Sequence, residues 1–482
     1  MSTTEVAAAR EPAAPATTTT APSRGAFRAL TLRLHFYAGL FVGPFLLIAA
    51  VTGALYAISP TLESFTDRDL LYTDSQGPQR PLSEQVGAGV ATRPDLTLVA
   101  VAPAPAPGET TRVLFSDPAL GESERRSVFV DPVTARPVGE AIVYGSSGAL
   151  PLRAWISQAH RHLHLGEPGR LYSESAASWL WLIALAGLVL WVRRVRARRQ
   201  RNSPAWLFAP DLTRNPRERR LNWHAAVGVW ILPVLLLLSA TGLTWSTYAG
   251  ANIEQLRENL SWTTPAVDTA LPDAAPADHS GHSGHHGGPA VTHTVPAERV
   301  RQLDTVVAAA RDAGVTQPAE ISVPAGDGGA FAVKERRMSG TLTVDAVAVD
   351  GATGTITDRL PYSEWNLMAK LANWGIQLHM GLMFGLLNQL LLLAAMVGLI
   401  TVIVRGYLMW WRRRPATAGT WRAVGKPPRR GVLRRSVKLA VPVLVAATLI
   451  GWFAPVFGLS LLAFLVLDII LGRVRRPRAA AG

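Results

Sequence analysis

No cysteine occurs among the 482 residues. That absence excludes a disulfide framework, a thiolate metal site, an iron–sulfur cluster and covalent c-type haem attachment. Any cofactor must therefore be held by histidine, methionine or carboxylate. Charge is scarce too: Asp, Glu, Lys and Arg make up 17% of the chain, and several long runs carry none. The basic loops contain no G-x-G-x-x-G fingerprint, so they offer no nucleotide site. A G-x-S-x-G elbow and an H-E-x-x-H helix are both missing, which removes two hydrolase signatures.

The uncharged runs are the first positive feature. About 20 apolar residues cross the hydrocarbon core of a bilayer. Spans are expected at Phe36–Ile58, Ala176–Val192, Ala225–Thr247, Leu382–Val404, Leu439–Trp452 and Pro455–Leu471. The last two share one apolar block broken near "GWFAP", which reads as a tight hairpin. The net charge of +14 is concentrated in "RVRARRQR", "RNPRERR", "WWRRR", "KPPRRGVLRR" and "RVRRPR". These short juxtamembrane segments mark the cytoplasmic side by the positive-inside rule. They do not suggest nucleic-acid binding, which calls for a basic soluble fold with groove-reading or aromatic partners. Residues 1–24 are rich in Ala, Thr and Pro and read as a disordered cytoplasmic tail. The first span lies too deep and is too long for a cleaved signal, so it is expected to stay as an anchor.

The chain repeats itself. His35 and His224 differ by 224 − 35 = 189. The same offset pairs Gly39 with Gly228, Pro44 with Pro233, Thr52 with Thr241 and Gly53 with Gly242. A second register, 350 − 131 = 219, pairs Asp131 with Asp350, Trp155 with Trp374, Gln158 with Gln377 and His160 with His379. It continues to Gly166 with Gly385 and Trp191 with Trp410. The second half thus carries about 30 extra residues (219 − 189), within which lies "DHSGHSGHHGG". Each half reads as a span, an outside domain and a returning span. The outside domains show a helical stretch followed by strand-like alternation, as in "RSVFVDP" and "LTVDAVAVDG", and so should be small α+β units.

This order places His35 and His224 at cytoplasmic helix ends and His160 and His379 at outer ends. A lone histidine at a helix end ordinarily meets headgroups or water. Matched pairs at matched depth instead point to a cofactor built between facing helices. Two neutral imidazoles suit the axial positions of a b-type haem, and the apolar macrocycle suits a helix bundle. Zinc or copper is the rival, but two histidines underfill a tetrahedral zinc site. Two haems, one near each face, would form an electron path. In "HRHLHLG", His160 fits the repeat, yet "LHLG" also resembles "LHMG", which would pair His164 with His379 instead. Gly39, Gly228, Gly53 and Gly242 would admit a flat ring or a close helix. Trp155, Trp374, Trp410 and Trp411 read as interface-belt residues. His279, His282, His285 and His286 form a tract that could bind copper, nickel or zinc weakly, or serve only as a solvated linker.

The run "QAHRHLHLGEPGRLYSESAASWLWLIALAGLVLW" resembles the PepSY-associated transmembrane proteins. "DPVTARPVG" and "DGATGTITD" resemble the ends of their PepSY-type domains. The resemblance covers most of residues 30–414, and "LHxGEPG" is its most specific part. It implies a mainly α membrane protein with duplicated halves, each a span, a PepSY-like α+β domain and a span. The halves would form a four-helix core, with a C-terminal hairpin added. Expected boundaries are the first span at 25–58, the first outside domain at 59–150, and an interfacial helix with the second span at 151–193. A basic loop at 194–222 and the third span at 223–248 follow. The second outside domain, with the His-rich insertion, occupies 249–363, and an interfacial helix with the fourth span 364–411. A basic loop at 412–437, the hairpin at 438–472 and a basic tail at 473–482 complete the chain.

The family includes iron-uptake proteins and inner-membrane siderophore reductases carrying b-type haem. The resemblance therefore implies two haems on His35, His224, His160 and His379 in a multi-pass inner-membrane protein with both termini cytoplasmic. Electrons would come from quinol or a separate cytoplasmic reductase, and the acceptor outside would be a ferric chelate or metal. PepSY domains also accompany peptidases as inhibitory propeptides. A non-enzymatic sensor or peptidase regulator is thus a second reading. A metal-uptake accessory that collects ions with the His-rich loop is a third.

Overall fold

The apolar runs become helices whose starts are written in proline and asparagine. In the computed structural model, described for residues 24–201, 206–211, 213–271, 297–326, 328–412 and 437–474, the first run forms α1 (Arg24–Phe41) and α2 (Gly43–Thr66). Only Val42 separates them, and it keeps helical angles, so the two continue one another with Pro44 in the opening turn of α2. A short α3 (Arg68–Leu71) and α4 (Leu82–Thr92) precede strands β1 (Thr97–Ala102), β2 (Thr111–Ser116), β3 (Glu124–Val130) and β4 (Pro137–Tyr144). Then come α5 (Pro151–His162) and the long α6 (Glu167–Arg199).

The second half repeats this order. Helix α7 (Pro216–Thr244) is capped by the Asn215 side chain, which accepts from the Glu218 N–H at 3.0 Å. Helices α8 (Tyr248–Asn259) and α9 (Ala297–Asp312) lead into β5 (Ala319–Ser322), β6 (Phe331–Glu335), β7 (Ala346–Val349) and β8 (Ile356–Leu360). Helix α10 (Leu367–His379) is capped by Asn366, which accepts from Ala369 N–H at 2.8 Å. Helices α11 (Gly385–Trp411), α12 (Val437–Phe453) and α13 (Pro455–Val474) complete the described chain. Residues 1–23, the His-rich tract at 278–288, most of the second basic loop and the tail from 475 lie outside the described residues.

Among the described residues, four helices are long and apolar enough to cross a membrane: α2, α6, α7 and α11. Helix α2 packs on α11, α6 on α7, and α7 on α11. Their shared core includes Leu46, Ala50, Trp179, Leu235, Met396 and Leu399. Helices α12 and α13 are shorter apolar segments packed side by side, with Ala454 at the turn. Gly451 and Gly458 let their backbones touch, because a Cβ on Gly458 would lie 2.7 Å from the Gly451 carbonyl oxygen. The Trp179 indole donates to Ser460 Oγ at 2.9 Å, tying the hairpin to α6.

The two domains between the spanning helices share one sheet. Its order is β4-β3-β2-β1-β5-β6-β7-β8, antiparallel throughout, and β1 meets β5 with Val101 opposite Ile321. One face carries α4 and α9 over a core of Val86, Val113, Leu303, Ile321 and Phe331. The sequence reading expected two separate units, because pairing between distant edge strands leaves no local signature. The joint strands bury their edges against each other instead of exposing them. On the opposite face, Arg112 donates to the Gly148 carbonyl at 3.0 Å, in the segment that leads into α5. There Glu63, at the end of α2, accepts from Leu150 N–H at 2.7 Å and pairs with Arg153 at 3.5 Å. This contact fixes α5 over the C-terminal end of α2.

Candidate functional site

Each of the four repeated histidines is held by one ring nitrogen. His35 Nδ1 lies 2.9 Å from the Ile183 carbonyl on α6, and His224 Nδ1 lies 2.9 Å from the Val402 carbonyl on α11. A carbonyl only accepts, so both Nδ1 atoms carry the proton and both Nε2 atoms keep a lone pair. His160 Nδ1 lies 2.9 Å from Thr52 Oγ1, and His379 Nδ1 lies 2.5 Å from Thr241 Oγ1. Those hydroxyls donate to Ile48 and Leu237 carbonyls at 2.9 and 2.7 Å. With their protons so placed, they accept from Nδ1, and the Nε2 lone pairs of His160 and His379 are again left available.

Glycine stands beside every ring. A Cβ on Gly187 would come within 2.9 Å of His35 Cε1, and one on Gly406 within 3.7 Å of His224 Cε1. A Cβ on Gly53 would lie 3.2 Å from His160 Cε1, and one on Gly242 would lie 4.0 Å from His379 Cε1. Gly39 and Gly228, four residues beyond His35 and His224, face open space: a Cβ there would meet nothing within 4 Å. Aromatic rings cover the outer pair. Tyr56 lies parallel to His160 at 6.3 Å between centroids, and Trp245 lies 5.3 Å from His379.

Several of these partners were not singled out from the sequence. Ile183 and Val402 differ by 402 − 183 = 219, as do Gly187 and Gly406 (406 − 187). Tyr56 and Trp245 differ by 245 − 56 = 189. The two offsets would have found them. Similarity of residue type would not, because Ile to Val is unremarkable in an apolar helix and Tyr to Trp is no identity.

The rings meet in pairs across the halves. His35 and His224 have centroids 6.2 Å apart and planes at 81°. His160 and His379 line one cavity of about 450 Å³, within the range of small-molecule and cofactor sites. Its deep wall is apolar, with Leu46, Ala50, Leu180, Leu392 and Met396. Its mouth, under the sheet, is polar, with Ser123, Ser147, Arg161, Arg170 and Arg337. Burial holds the guanidinium of Arg337 below its ordinary range.

His164 is placed elsewhere. It follows the end of α5 with φ 55°, is exposed, and stacks on Trp155 at 5.1 Å. Its Nε2 donates to the Trp155 carbonyl at 3.1 Å, so that nitrogen offers no lone pair. The "LHLGEPG" run shapes this corner. Leu163 and His164 adopt left-handed angles, Gly166 has φ 63°, and Gly169 sits against the His162 carbonyl where no Cβ fits. The tract of His279, His282, His285 and His286 lies outside the described residues.

Among the described residues, no group of three or more His, Asp and Glu gathers into a metal-binding cluster. No curated protein matches the chain. Residues 32–413 match the family described as the PepSY-associated TM region. With four helices fit to cross a bilayer and most of its length inside that match, the chain is a multi-pass membrane protein of the PepSY-associated TM family.

Proposed function

We propose that the chain carries electrons across the membrane with two b-type haems, one held by His35 and His224 and one by His160 and His379. The observation that carries this reading is the fourfold arrangement of a histidine with its Nδ1 proton engaged and its Nε2 lone pair available. Metal-bound histidines take this form, since the second hydrogen bond fixes the tautomer and raises ligand basicity. The inner group would be held between two rings whose centroids stand 6.2 Å apart. The open space beside Gly39 and Gly228 gives a flat macrocycle room next to those rings. Around the outer pair, the apolar wall of the cavity suits a porphyrin better than a hydrated ion.

The matched offsets support a duplicated design with the haem pairs on the pseudo-two-fold axis. The 17 residues from His35 to Thr52 correspond to about 25 Å of helix, so the two sites sit near opposite faces. Haem bound at these histidines supplies reversible one-electron exchange. The protein's own part is to hold the imidazoles, exclude water with the apolar wall, and leave the outer cavity facing the sheet. We place the basic loops and both termini in the cytoplasm of a bacterial-type inner membrane. Quinol or a separate cytoplasmic reductase is the proposed donor. A ferric siderophore or similar metal acceptor outside is the proposed substrate.

The test is a dithionite-reduced minus oxidised spectrum of the detergent-purified full chain, with haem counted by pyridine haemochrome. Low-spin b-type bands at two haems per chain are expected. A colourless protein from haem-replete cells would refute the reading and favour a PepSY-type sensor or peptidase regulator.

A further inference from the structure

The outer cavity is chemically lopsided in a way the histidines do not explain. Its membrane-facing wall is apolar, while three arginines stand at its mouth: Arg161 on α5, Arg170 on α6 and Arg337 just after β6. Each is partly engaged by a neutral group. Arg161 donates to the Tyr144 hydroxyl, Arg170 to Thr247 Oγ1 at 3.4 Å, and Arg337 Nε to Asn373 Oδ1 at 2.6 Å. Among the described residues none of the three forms an ion pair. The one carboxylate lining the cavity, Glu174, accepts from Tyr248 and Ala249 N–H at 3.0 and 2.9 Å. Three guanidinium groups and one carboxylate leave a net charge of +2 on the polar lining of the cavity. A bound anion would balance this surplus. Guanidinium matches carboxylate oxygens in a forked geometry.

We propose that Arg161, Arg170 and Arg337 form a carboxylate-binding rim that grips the two propionates of the outer haem. The inference rests on the haem reading above. The rim fixes which way the macrocycle lies: its hydrocarbon edge goes into the apolar wall, and its acid edge goes out toward the sheet. Two propionates match the surplus of two positive charges. Nothing equivalent flanks the outer cavity at the repeat-related positions: Arg161 and Arg170 correspond to Met380 and Gln389 at the 219 offset. The rim is therefore built on one side of the pseudo-symmetric site, as a macrocycle with a single acidic edge requires.

The experiment reconstitutes haem-free full-length protein with haem b or with haem b dimethyl ester, whose propionates are uncharged. Transfer of the outer haem to excess apomyoglobin is then timed. Arg170→Ala and Arg337→Ala should each speed haem b loss by about tenfold to a hundredfold, the range for a charge-assisted hydrogen bond. Arg161→Ala should have a smaller effect, because that residue is exposed. With the dimethyl ester, unaltered protein should already lose the group quickly, and the variants should add nothing. The inner haem, whose ligands these changes do not touch, serves as the folding control. If the unaltered protein takes up no haem, the reading beneath the inference is wrong. If it takes up two haems but the variants release haem b at the unaltered rate, or release both forms equally faster, the rim is not a propionate anchor. Should an added dicarboxylate slow neither release nor reduction in the unaltered protein, a free carboxylate acceptor is excluded as the rim's occupant. Competition by that dicarboxylate, without any ester effect, would overturn the proposal in the acceptor's favour.

Discussion

The inner and outer histidine pairs solve the same problem with different parts. His35 and His224 lean on main-chain carbonyls of α6 and α11, while His160 and His379 lean on threonine hydroxyls of α2 and α7. A main-chain acceptor cannot be removed by substitution, whereas a hydroxyl can. His224 lies on the spanning helix α7 and His35 on α1, which continues into α2; His160 and His379 lie on the separate helices α5 and α10, laid over the ends of α2 and α7. The inner pair is braced by the bundle alone, but the outer pair also depends on the sheet, through Glu63, Leu150 and Arg153. The inner site is thus set by the bundle, and the outer site is the one that sequence change can tune.

The largest effect should come from deleting a ligand. His35→Ala or His224→Ala should remove the inner haem and leave one haem per chain; His160→Ala or His379→Ala should remove the outer one. Pyridine haemochrome counts and separate titration midpoints check this. Should all four variants keep both redox transitions, the assignment of ligands is wrong. His164→Ala should leave both transitions in place, since its Nε2 is spent on the Trp155 carbonyl. Loss of a haem on that change would move the outer ligand away from His160.

Much of this was legible in the residues, for a physical reason. His, Thr and Gly recur at one spacing within each register, and the two offsets expose that recurrence without any knowledge of the fold. The spans were legible because the bilayer fixes their length and bars charge. The join between β1 and β5 was not legible, since it pairs Val101 with Ile321 at a separation of 220 positions (321 − 101). The choice between His160 and His164 was open in the sequence, as both stand on the same helical turn pattern. The fold separates the two residues by ending α5 at His162 and turning left-handed at Leu163 and His164. The arginine rim was illegible for another reason. Its members come from three elements that only the fold brings together.

A middle-sized effect should separate the glycines. Gly187→Ala drives a methyl to 2.9 Å from His35, while Gly406→Ala leaves 3.7 Å to His224, an ordinary contact. Overpacking of this kind costs about 1–3 kcal/mol. Gly187→Ala should therefore lower inner-haem occupancy or broaden its low-spin electron paramagnetic signal, and Gly406→Ala should do neither. Equal behaviour of the two would mean that the inner site relaxes more freely than its close contacts allow. In the outer site the same ranking holds more weakly, with Gly53→Ala at 3.2 Å from His160 and Gly242→Ala at 4.0 Å from His379.

The smallest effect is the sharpest probe of the contrast between the pairs. Thr52→Val and Thr241→Val replace a hydroxyl by a methyl of nearly the same size, so packing around Gly53 and Gly242 should hold. Each change removes the acceptor of one Nδ1 proton, at a cost of about 1 kcal/mol. An imidazole that no longer donates is less basic and supports ferric iron less well. The outer midpoint should therefore rise, while the inner one, tied to the Ile183 and Val402 carbonyls, should not move. Spectroelectrochemical titration of both valine variants gives the answer directly. A shift in the inner midpoint instead would reverse the placement of the two haems. No shift in either would mean that the threonines position the rings without tuning them, and the two sites would then differ in architecture but not in electronic control.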